Sequence, residues 1–250
     1  MEVSILYIKK EGIILSKTRK ILAGFFTFLI IAAFSACSVQ NATANEGYII
    51  NPARDYLIVV NDQNPYDFNG DYAKQLSYDL IYTVDAKDGD VIGVEKATFL
   101  AFSELQYALA LQGMTIGLYD AYRTAEQQQS VYDYYSNLEG WHETNKIAAP
   151  GYSEHHTGLL LNVLVMYSED DSEPIWYTET AERQQTIPYF QLLHQTLADY
   201  GFIDRYPAGK EDFTGVPCEP YEIRYVGSPE VAHAIMDNGL CLEEYVASIK

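Results

Sequence analysis

The chain has 250 residues, 48% of them hydrophobic, and a formal net charge of −19 at pH 7. A chain of this length and apolar content can bury one core, so we expect a single folded domain. An acidic surface repels nucleic acid and anionic lipid head groups, and this argues against both as binding partners.

The N-terminus has the pattern of an export signal. A basic segment at residues 17–20 precedes an apolar run at residues 21–34, and Ser35 and Ala36 then precede Cys37. A basic segment, about 14 apolar residues and small residues before a cleavage point are typical of a secretory signal peptide. A permanent membrane helix needs about 20 apolar residues, so this run is too short for one.

A cysteine directly after Ser-Ala resembles the cleavage box of bacterial lipoproteins, although that box usually has Leu where Phe34 stands. Cleavage would remove residues 1–36 as a signal peptide and leave Cys37 as the lipidated first residue. The mature chain would then carry 11 basic and 33 acidic residues, a formal charge of −22. We therefore predict an extracytoplasmic lipoprotein on a bacterial cell membrane. The alternative is an ordinary signal peptide with an incidental cysteine.

Beyond the leader, residues 37–56 are predicted to be a polar tether, and residues 57–250 the folded domain. Pro52 interrupts the tether and adds to its irregular character. Cys218 and Cys241 are the cysteines of the predicted domain, and an exported protein could pair them. Two cysteines carry little information, and two buried free thiols are the favoured interpretation.

Hydrophobic patterns along the domain predict helices and strands that do not strictly alternate. Strands are predicted at residues 57–60, 114–119, 159–167 and 222–227, and helices at 95–112, 124–138, 188–200 and, as two short ones, within 228–249. The run at 159–167 is almost continuously apolar, as expected for a central strand covered on both faces. We therefore predict an α+β domain with a small mixed or antiparallel central sheet flanked by helices.

Three sequence blocks then resemble those of a known family. Residues 150–162 read PGYSEHHTGLLLN, residues 219–227 read EPYEIRYVG, and residues 121–124 read AYRT, with Gln128 following. They resemble the S-x-H-x-x-G-x-x-x-D, E-P-W-H-x-R-Y-V-G and G-Y-R-S motifs of the VanY-type D-Ala-D-Ala carboxypeptidases, zinc peptidases that act on peptidoglycan stem peptides. The blocks occur in the family's order, and the resemblance covers roughly residues 57–248. It implies a domain of the VanY carboxypeptidase type, facing the cell wall.

The resemblance also indicates the metal positions. In the family, two His and one Asp hold zinc and leave a fourth position for the attacking water. In this chain His155 stands at the first position, Asn162 at the Asp position and Glu222 at the second His position. An amide oxygen is a weak ligand for Zn²⁺, so we expect zinc to be bound weakly at best. The sequence leaves open whether another metal, such as Mn²⁺ or Ca²⁺, is used.

The other residues of the expected cleft match the family more closely. The resemblance implies that Glu219 is the general base and that Arg123 contacts the peptide, because a guanidinium suits a carboxylate or polarised carbonyl. It places Tyr122, Gln128 and Ser153 beside Arg123 as substrate-binding residues.

The remaining histidines have weaker claims to a role in the site. His156 could be a substitute ligand, but adjacent residues on an extended segment face opposite ways, which disfavours it. His142 begins an H-E-x-x-H-like pattern that Lys146 breaks. His194 and His233 lie on predicted helices and are assigned to packing or to the surface.

Three functions are consistent with this sequence. The first is a metal-poor relative that binds stem peptides or a partner protein, with lost or weak peptidase activity. The second is an active metal-dependent carboxypeptidase with an altered His/Asn/Glu site, and the third is a structural or regulatory lipoprotein with an idle cleft. Retention of Arg123, Gln128 and Glu219 argues against the third function, and replacement of two ligands argues against the second. We therefore favour the first, with peptidoglycan stem peptide as the ligand.

Overall fold

The structure is a computed structural model that describes residues 54–84, 89–137, 147–166 and 188–250. The predicted signal peptide, Cys37 and His142 lie outside these residues, as does most of the predicted tether. None of the helices within the described ranges is both long enough and apolar enough to cross a membrane.

Helices and strands are mixed along the chain. In order they are α1 (Asp71–Asp79), β1 (Leu80–Val84), β2 (Val91–Glu95), α2 (Lys96–Ala110), β3 (Thr115–Asp120), α3 (Ala125–Ser136), β4 (Leu160–Met166), α4 (Pro188–Thr196), β5 (Phe202–Asp204), α5 (Glu211–Thr214), β6 (Glu222–Tyr225), α6 (Pro229–Met236) and α7 (Leu242–Ser248). Short 3₁₀ turns at Glu154–Thr157 and Ala198–Tyr200 precede β4 and β5.

Two antiparallel sheets organise the domain. Four strands pair in the order β3-β4-β6-β5, and β1 pairs with β2 in a separate hairpin. Strand β4 is central, because it pairs with β3 on one side and β6 on the other. The predicted α+β class and the small central sheet are confirmed, and the sheet is antiparallel rather than mixed.

Local sequence explains the two helices that flank β3. Helix α2 buries a stripe of residues three or four positions apart, and the Glu95 side chain caps its start by accepting a hydrogen bond from the Thr98 N–H at 2.8 Å. Helix α3 begins with a reciprocal capping box between Thr124 and Gln127. The predicted helices at 95–112 and 124–138 are therefore confirmed with slightly shorter bounds.

Two expectations are wrong. Residues 57–60 form no strand, because this apolar segment gives its main-chain carbonyls to another partner: the oxygens of Tyr56 and Ile58 accept hydrogen bonds from the Arg224 guanidinium. Cys218 is only half-buried, although Cys241 is buried, and no disulfide joins them.

A buried ion network ties distant segments to the turn before β4. Glu154 accepts from Arg205 Nε at 2.5 Å and from Arg224 Nε at 2.6 Å, and all three side chains are buried. Arg205 also donates two hydrogen bonds to Glu243 on α7. Arg224 donates to the main chain at residues 56–58, so this network joins both ends of the described domain to one turn.

Candidate active site

Side chains of the central sheet alternate between a core and a cleft. Along β4, Leu161, Val163 and Val165 pack into the main apolar core. The alternate residues Leu160 and Asn162 line a cleft of about 640 Å³. This is the period of two expected of a strand, and it places the one polar residue of β4 on the cleft side.

Cross-strand pairing aligns three polar residues on the cleft side. Asn162 is directly opposite Asp120 on β3 and Glu222 on β6. Directly opposed residues point to the same face of an antiparallel sheet, so all three line the cleft. The structure thus brings together Asn162 and Glu222, which are 60 positions apart in the sequence.

The 3₁₀ turn at Glu154–Thr157 brings His155 to these polar residues of the cleft. The His155 Nδ1 atom hydrogen-bonds the main-chain oxygen of Ala121, which directs Nε2 to within 3.7 Å of Glu222 Oε1. Gly158 ends the turn with a φ of 69°, and a Cβ at this position would lie 3.3 Å from the Glu95 main chain. Gly158 is therefore required for the chain to turn into β4 with His155 in this position.

Glu219 is close to Glu222 and shares a hydrogen bond with it. Burial, followed by the charge of Glu222 and this hydrogen bond, raises the pKa of Glu219 well above its usual value. Tyr221, between the two, also hydrogen-bonds Glu219, and burial raises the pKa of the Tyr221 phenol. A hydrogen bond between two carboxyls requires a proton on one of them, which agrees with the raised pKa of Glu219.

Asn162 is the least satisfied polar group of the cleft. Its side chain is 5% exposed, and its Nδ2 donates to the Tyr119 hydroxyl at 3.3 Å. Within the described part of the chain, its Oδ1 is buried and has no hydrogen-bond partner. Buried polar atoms normally have a partner, so this oxygen marks a position where a ligand can bind.

Arg123 lines the same cleft, and two neighbours fix its side chain. Its Nε and Nη2 both donate to Asp120, and its Nη1 donates to Gln128 Oε1 at 3.0 Å. Gln128 in turn donates to the Ala148 carbonyl at 2.7 Å. Burial would raise the pKa of Asp120, but the Arg123 charge outweighs it and holds this pKa below the usual value.

The other predicted site residues have different outcomes. Ser153 is buried and lines the cleft together with Arg123 and Gln128. Tyr122 is not among the lining residues, because its ring packs over Gly93 and its N–H donates to the Gly93 carbonyl at 2.9 Å. Tyr122 therefore attaches the β1–β2 hairpin to the sheet.

His156 does not face the ligand positions, although the reason differs from the one expected. Residues 154–157 form a 3₁₀ turn and are not extended. Both ring nitrogens of His156 are engaged by the main chain, Nδ1 with the Arg123 carbonyl at 2.7 Å and Nε2 with the Gly151 N–H at 3.0 Å. Neither nitrogen is left to bind a metal.

Asp120 was not anticipated. Its position directly before the AYRT block, three residues from Arg123, was the available signal, but an acidic residue at a strand end is common. The partner that makes Asp120 part of the site is Asn162 on the neighbouring strand, and sequence alone does not show that register.

The donor set can be tested against zinc. A separation of 3.7 Å between His155 Nε2 and Glu222 Oε1 is compatible with two ligands about 2 Å from one ion. The third donor is the Asn162 amide oxygen, a type that Zn²⁺ disfavours. Among the described residues, no three His, Cys, Asp or Glu side chains are grouped closely enough to hold a metal ion. The residues present therefore do not fit a three-ligand zinc centre.

Fold and cleft together define an α+β domain with a peptidase-type cleft, in which a turn histidine faces acidic residues on two strands. The sequence matches the family described as VanY, D-alanyl-D-alanine carboxypeptidase, over residues 92–228, more than half of the chain. The chain belongs to this family.

Individual relatives agree with this assignment. VanXYC of Enterococcus gallinarum, a bifunctional D-Ala-D-Ala dipeptidase and carboxypeptidase, is 35% identical over 52% of this chain and 65% of its own length. A D-alanyl-D-alanine carboxypeptidase of Enterococcus faecalis is 31% identical over 78% of this chain and 66% of its own length. The chain thus spans slightly under two thirds of each of these relatives.

Solved structures share the fold. The LD-carboxypeptidase LdcB has a TM-score of 0.63 at 29% identity, covering 78% of this chain and 87% of that protein. VanYB in complex with D-alanine-D-alanine has a TM-score of 0.57 at 28% identity, covering 78% and 99%. A VanY D,D-pentapeptidase in complex with Zn(II) has a TM-score of 0.55 at 28% identity, covering 76% and 98%.

Proposed function

We propose that this protein binds D-Ala-terminated peptidoglycan stem peptides outside the cytoplasm, with peptidase activity lost or weak. One observation supports this most strongly. The cleft keeps Arg123, Gln128 and Ser153 in place beside Glu219, while its ligand row contains the Asn162 amide, which does not suit zinc.

Two groups of the cleft suit two different parts of a peptide. The Arg123 guanidinium stays charged, and its orientation is fixed by Asp120 and Gln128, so it can receive a peptide carboxylate or carbonyl. The unpartnered Asn162 Oδ1 accepts, and can take a peptide N–H. Both contacts bind and orient a peptide without cleaving it.

Hydrolysis needs more than these residues provide. A general base must be deprotonated at the working pH, and burial together with Glu222 raises the pKa of the Glu219 carboxyl, which disfavours that form. Water that is not activated by a metal has a pKa far above neutrality. The replaced ligand set and the raised pKa of Glu219 both argue against efficient hydrolysis.

The experiment is a paired measurement of binding and turnover. Purified protein is titrated with the pentapeptide L-Ala-γ-D-Glu-L-Lys-D-Ala-D-Ala in a calorimeter, while D-Ala release and zinc content are measured on the same sample. A pentapeptide ending in L-Ala-L-Ala is the matched control. We expect selective binding of the D-Ala peptide, little zinc and little D-Ala release. Equal affinity for both peptides, or none for either, would contradict the proposal.

The second candidate function is an active carboxypeptidase with an altered His/Asn/Glu site. It is favoured by the hydrogen bond from His155 Nδ1 to Ala121, since metal-ligating histidines are commonly oriented by a carbonyl at their other nitrogen. D-Ala release at rates typical of an enzyme, abolished by a chelator and restored by one added metal, would establish this second function.

The predicted location has its own test. The basic, apolar and Ser-Ala-Cys pattern of the leader supports lipid attachment at Cys37 and a position facing the cell wall. Replacing Cys37 with Ala should move the protein from the membrane fraction to the medium. An unchanged distribution would disprove the lipid anchor.

A further inference from the structure

His194 on α4 contacts the segment that supplies the two glutamates of the cleft. Its Nε2 lies 3.0 Å from the main-chain oxygen of Pro220, between Glu219 and Glu222. Its Nδ1 lies 3.1 Å from Asp204 Oδ2 on β5. Both partners are acceptors, and an imidazole donates from both nitrogens only when it is protonated. The geometry therefore fits the imidazolium form of His194.

The Pro220 carbonyl belongs to a tight turn in the cleft wall. The Glu222 N–H donates to the Glu219 carbonyl at 3.0 Å, and the Glu219 N–H donates to the Tyr206 carbonyl at 3.1 Å. Pro220 is buried, so its carbonyl needs a partner other than bulk water. His194 supplies that partner and thereby fixes the position of the turn.

We propose that protonated His194 is a positioning residue for the Glu219–Glu222 turn, and that the Asp204–His194–Pro220 contact makes ligand binding in the cleft depend on pH. The inference rests on the proposed function, because stem-peptide binding is one of its readouts. His194 touches no ligand and acts through the turn.

Electrostatics agree with this geometry. Burial would lower the pKa of His194, but the charge and hydrogen bond of Asp204 and the Pro220 carbonyl raise it above the usual value. Because the pKa of His194 is raised in the folded state, its contact contributes its full stabilisation below the unfolded-state pKa of about 6.5. This stabilisation is lost as pH rises through the folded-state pKa. Peptide affinity should therefore fall as pH rises through the His194 titration.

Other charged groups near α4 have their own partners or positions. Helix α4 packs against α2, which carries Glu104, and against the 3₁₀ turn that contains Asp199. Burial, and after it the charges of Asp199 and Glu104, raise the pKa of Tyr200, and Asp199 pairs with His233 at 2.9 Å. On the cleft segment, Glu219 is held by Glu222 and Tyr221. Asp204 is thus the carboxylate that faces His194.

The test is an NMR titration combined with peptide binding between pH 5.5 and 8.5. The wild type is compared with His194→Gln, and with His233→Gln as a matched control, because His233 also bridges two acceptors but lies on the surface. We expect wild-type affinity for the D-Ala pentapeptide to fall about threefold to tenfold with the His194 titration. His194→Gln should lose this dependence, and His233→Gln should keep it.

Asp204→Asn is the second variant, and it remains informative if His194→Gln fails to fold. It removes the charge that faces His194, so the pH midpoint should move to lower pH. His194 titrating at or below its usual value, or an unchanged pH profile in His194→Gln, would overturn the proposal. If wild type binds no peptide at any pH, the proposed function fails instead. In that case the NMR chemical shifts of the Tyr221 and Glu222 amides test the proposal, since it requires them to change with the His194 titration.

Discussion

The two walls of the cleft differ in how completely their polar groups are paired. On the arginine wall, Arg123 is held by Asp120 and Gln128, and Gln128 is anchored on the Ala148 carbonyl. On the ligand wall, formed by His155, Asn162, Glu219 and Glu222, the Asn162 Oδ1 has no partner within the described residues, and 3.7 Å separates His155 Nε2 from Glu222. Side chains whose hydrogen bonds are already made are held in the orientation that binds a peptide. A buried polar atom without a partner instead marks a position where a ligand can bind.

The walls also differ in chemical character. The arginine wall presents a donor, while the ligand wall presents acceptors and a pair of hydrogen-bonded carboxyls. In a zinc peptidase the second wall would be completed by the ion. Two positions of the ligand wall differ from the family motifs while the arginine wall keeps Arg123 and Gln128, so under the proposed function peptide recognition is separated from water activation.

The largest expected effect comes from restoring the ligand wall. The double variant Asn162→Asp with Glu222→His supplies two ligand types that Zn²⁺ prefers, and zinc affinity should rise by roughly a thousandfold or more, as measured by competition with a chelating dye. D-Ala release should be rescued only weakly, because Tyr221 and His156 also differ from the family motifs. Glu222→His alone keeps the Asn162 amide, so it is the control and should bind zinc poorly. Full activity in the unmodified protein would contradict the reasoning.

The next largest effect should come from removing the support beneath His155. Glu154→Gln leaves Arg205 and Arg224 buried without their shared carboxylate, and losing one partner of a buried ion pair costs about 3–5 kcal/mol. Urea unfolding measures this loss of unfolding free energy. Glu126→Gln, an exposed position on α3, should change it by less than about 1 kcal/mol. Equal effects at both positions would show that the buried ion network is not a support.

A smaller effect is expected on the arginine wall. Arg123→Ala removes the fixed guanidinium and should weaken pentapeptide binding by about 30- to 100-fold, as measured by calorimetry. Arg123→Lys keeps the charge but loses the fork that contacts Asp120 and Gln128, so it should recover only part of the affinity. Full affinity in Arg123→Ala would place the peptide elsewhere.

The smallest effect concerns acid stability. Burial would raise the pKa of Glu243, but Arg205 holds it below the usual value. A lowered folded-state pKa means that this stabilisation is present above the unfolded pKa of about 4.3 and is lost as pH falls through the folded value. The urea midpoint should therefore fall in this acid range, and Glu243→Gln should flatten that part of the profile. An identical pH profile in the variant would exclude this contribution.

The convergence of His155, Asn162 and Glu222 could be predicted because motif order fixes which residues meet when a family fold is shared. Asp120 could not, since its membership depends on strand register. Tyr122 is assigned to the substrate site by resemblance to the G-Y-R-S motif, but its ring packs over Gly93 and does not line the cleft.

Fold prediction failed where tertiary contacts outweighed local pattern. The apolar segment at 57–60 resembles a strand, but the Ile58 carbonyl accepts a hydrogen bond from the Arg224 guanidinium, and the segment pairs with neither sheet. The β1–β2 hairpin went unpredicted because its strands expose Tyr82, Val84 and Val91, which blurs the alternation expected of a half-buried strand. Helices α2 and α3 were predicted well because their apolar stripes and N-terminal capping residues depend only on neighbouring residues in the sequence.

The buried ion network also sets a mechanical route through the domain. Tension applied to the chain ahead of residue 56 reaches Arg224 through the carbonyls at residues 56 and 58, and Arg224 shares Glu154 with Arg205. Glu154 directly precedes His155, and Arg224 lies on β6 opposite Leu160 of β4, so a pull on the N-terminal end is passed to the base of the cleft. Stretching this domain from its N-terminus should thus disturb the ligand wall, whereas the arginine wall, held by α3 and β3, lies off that route.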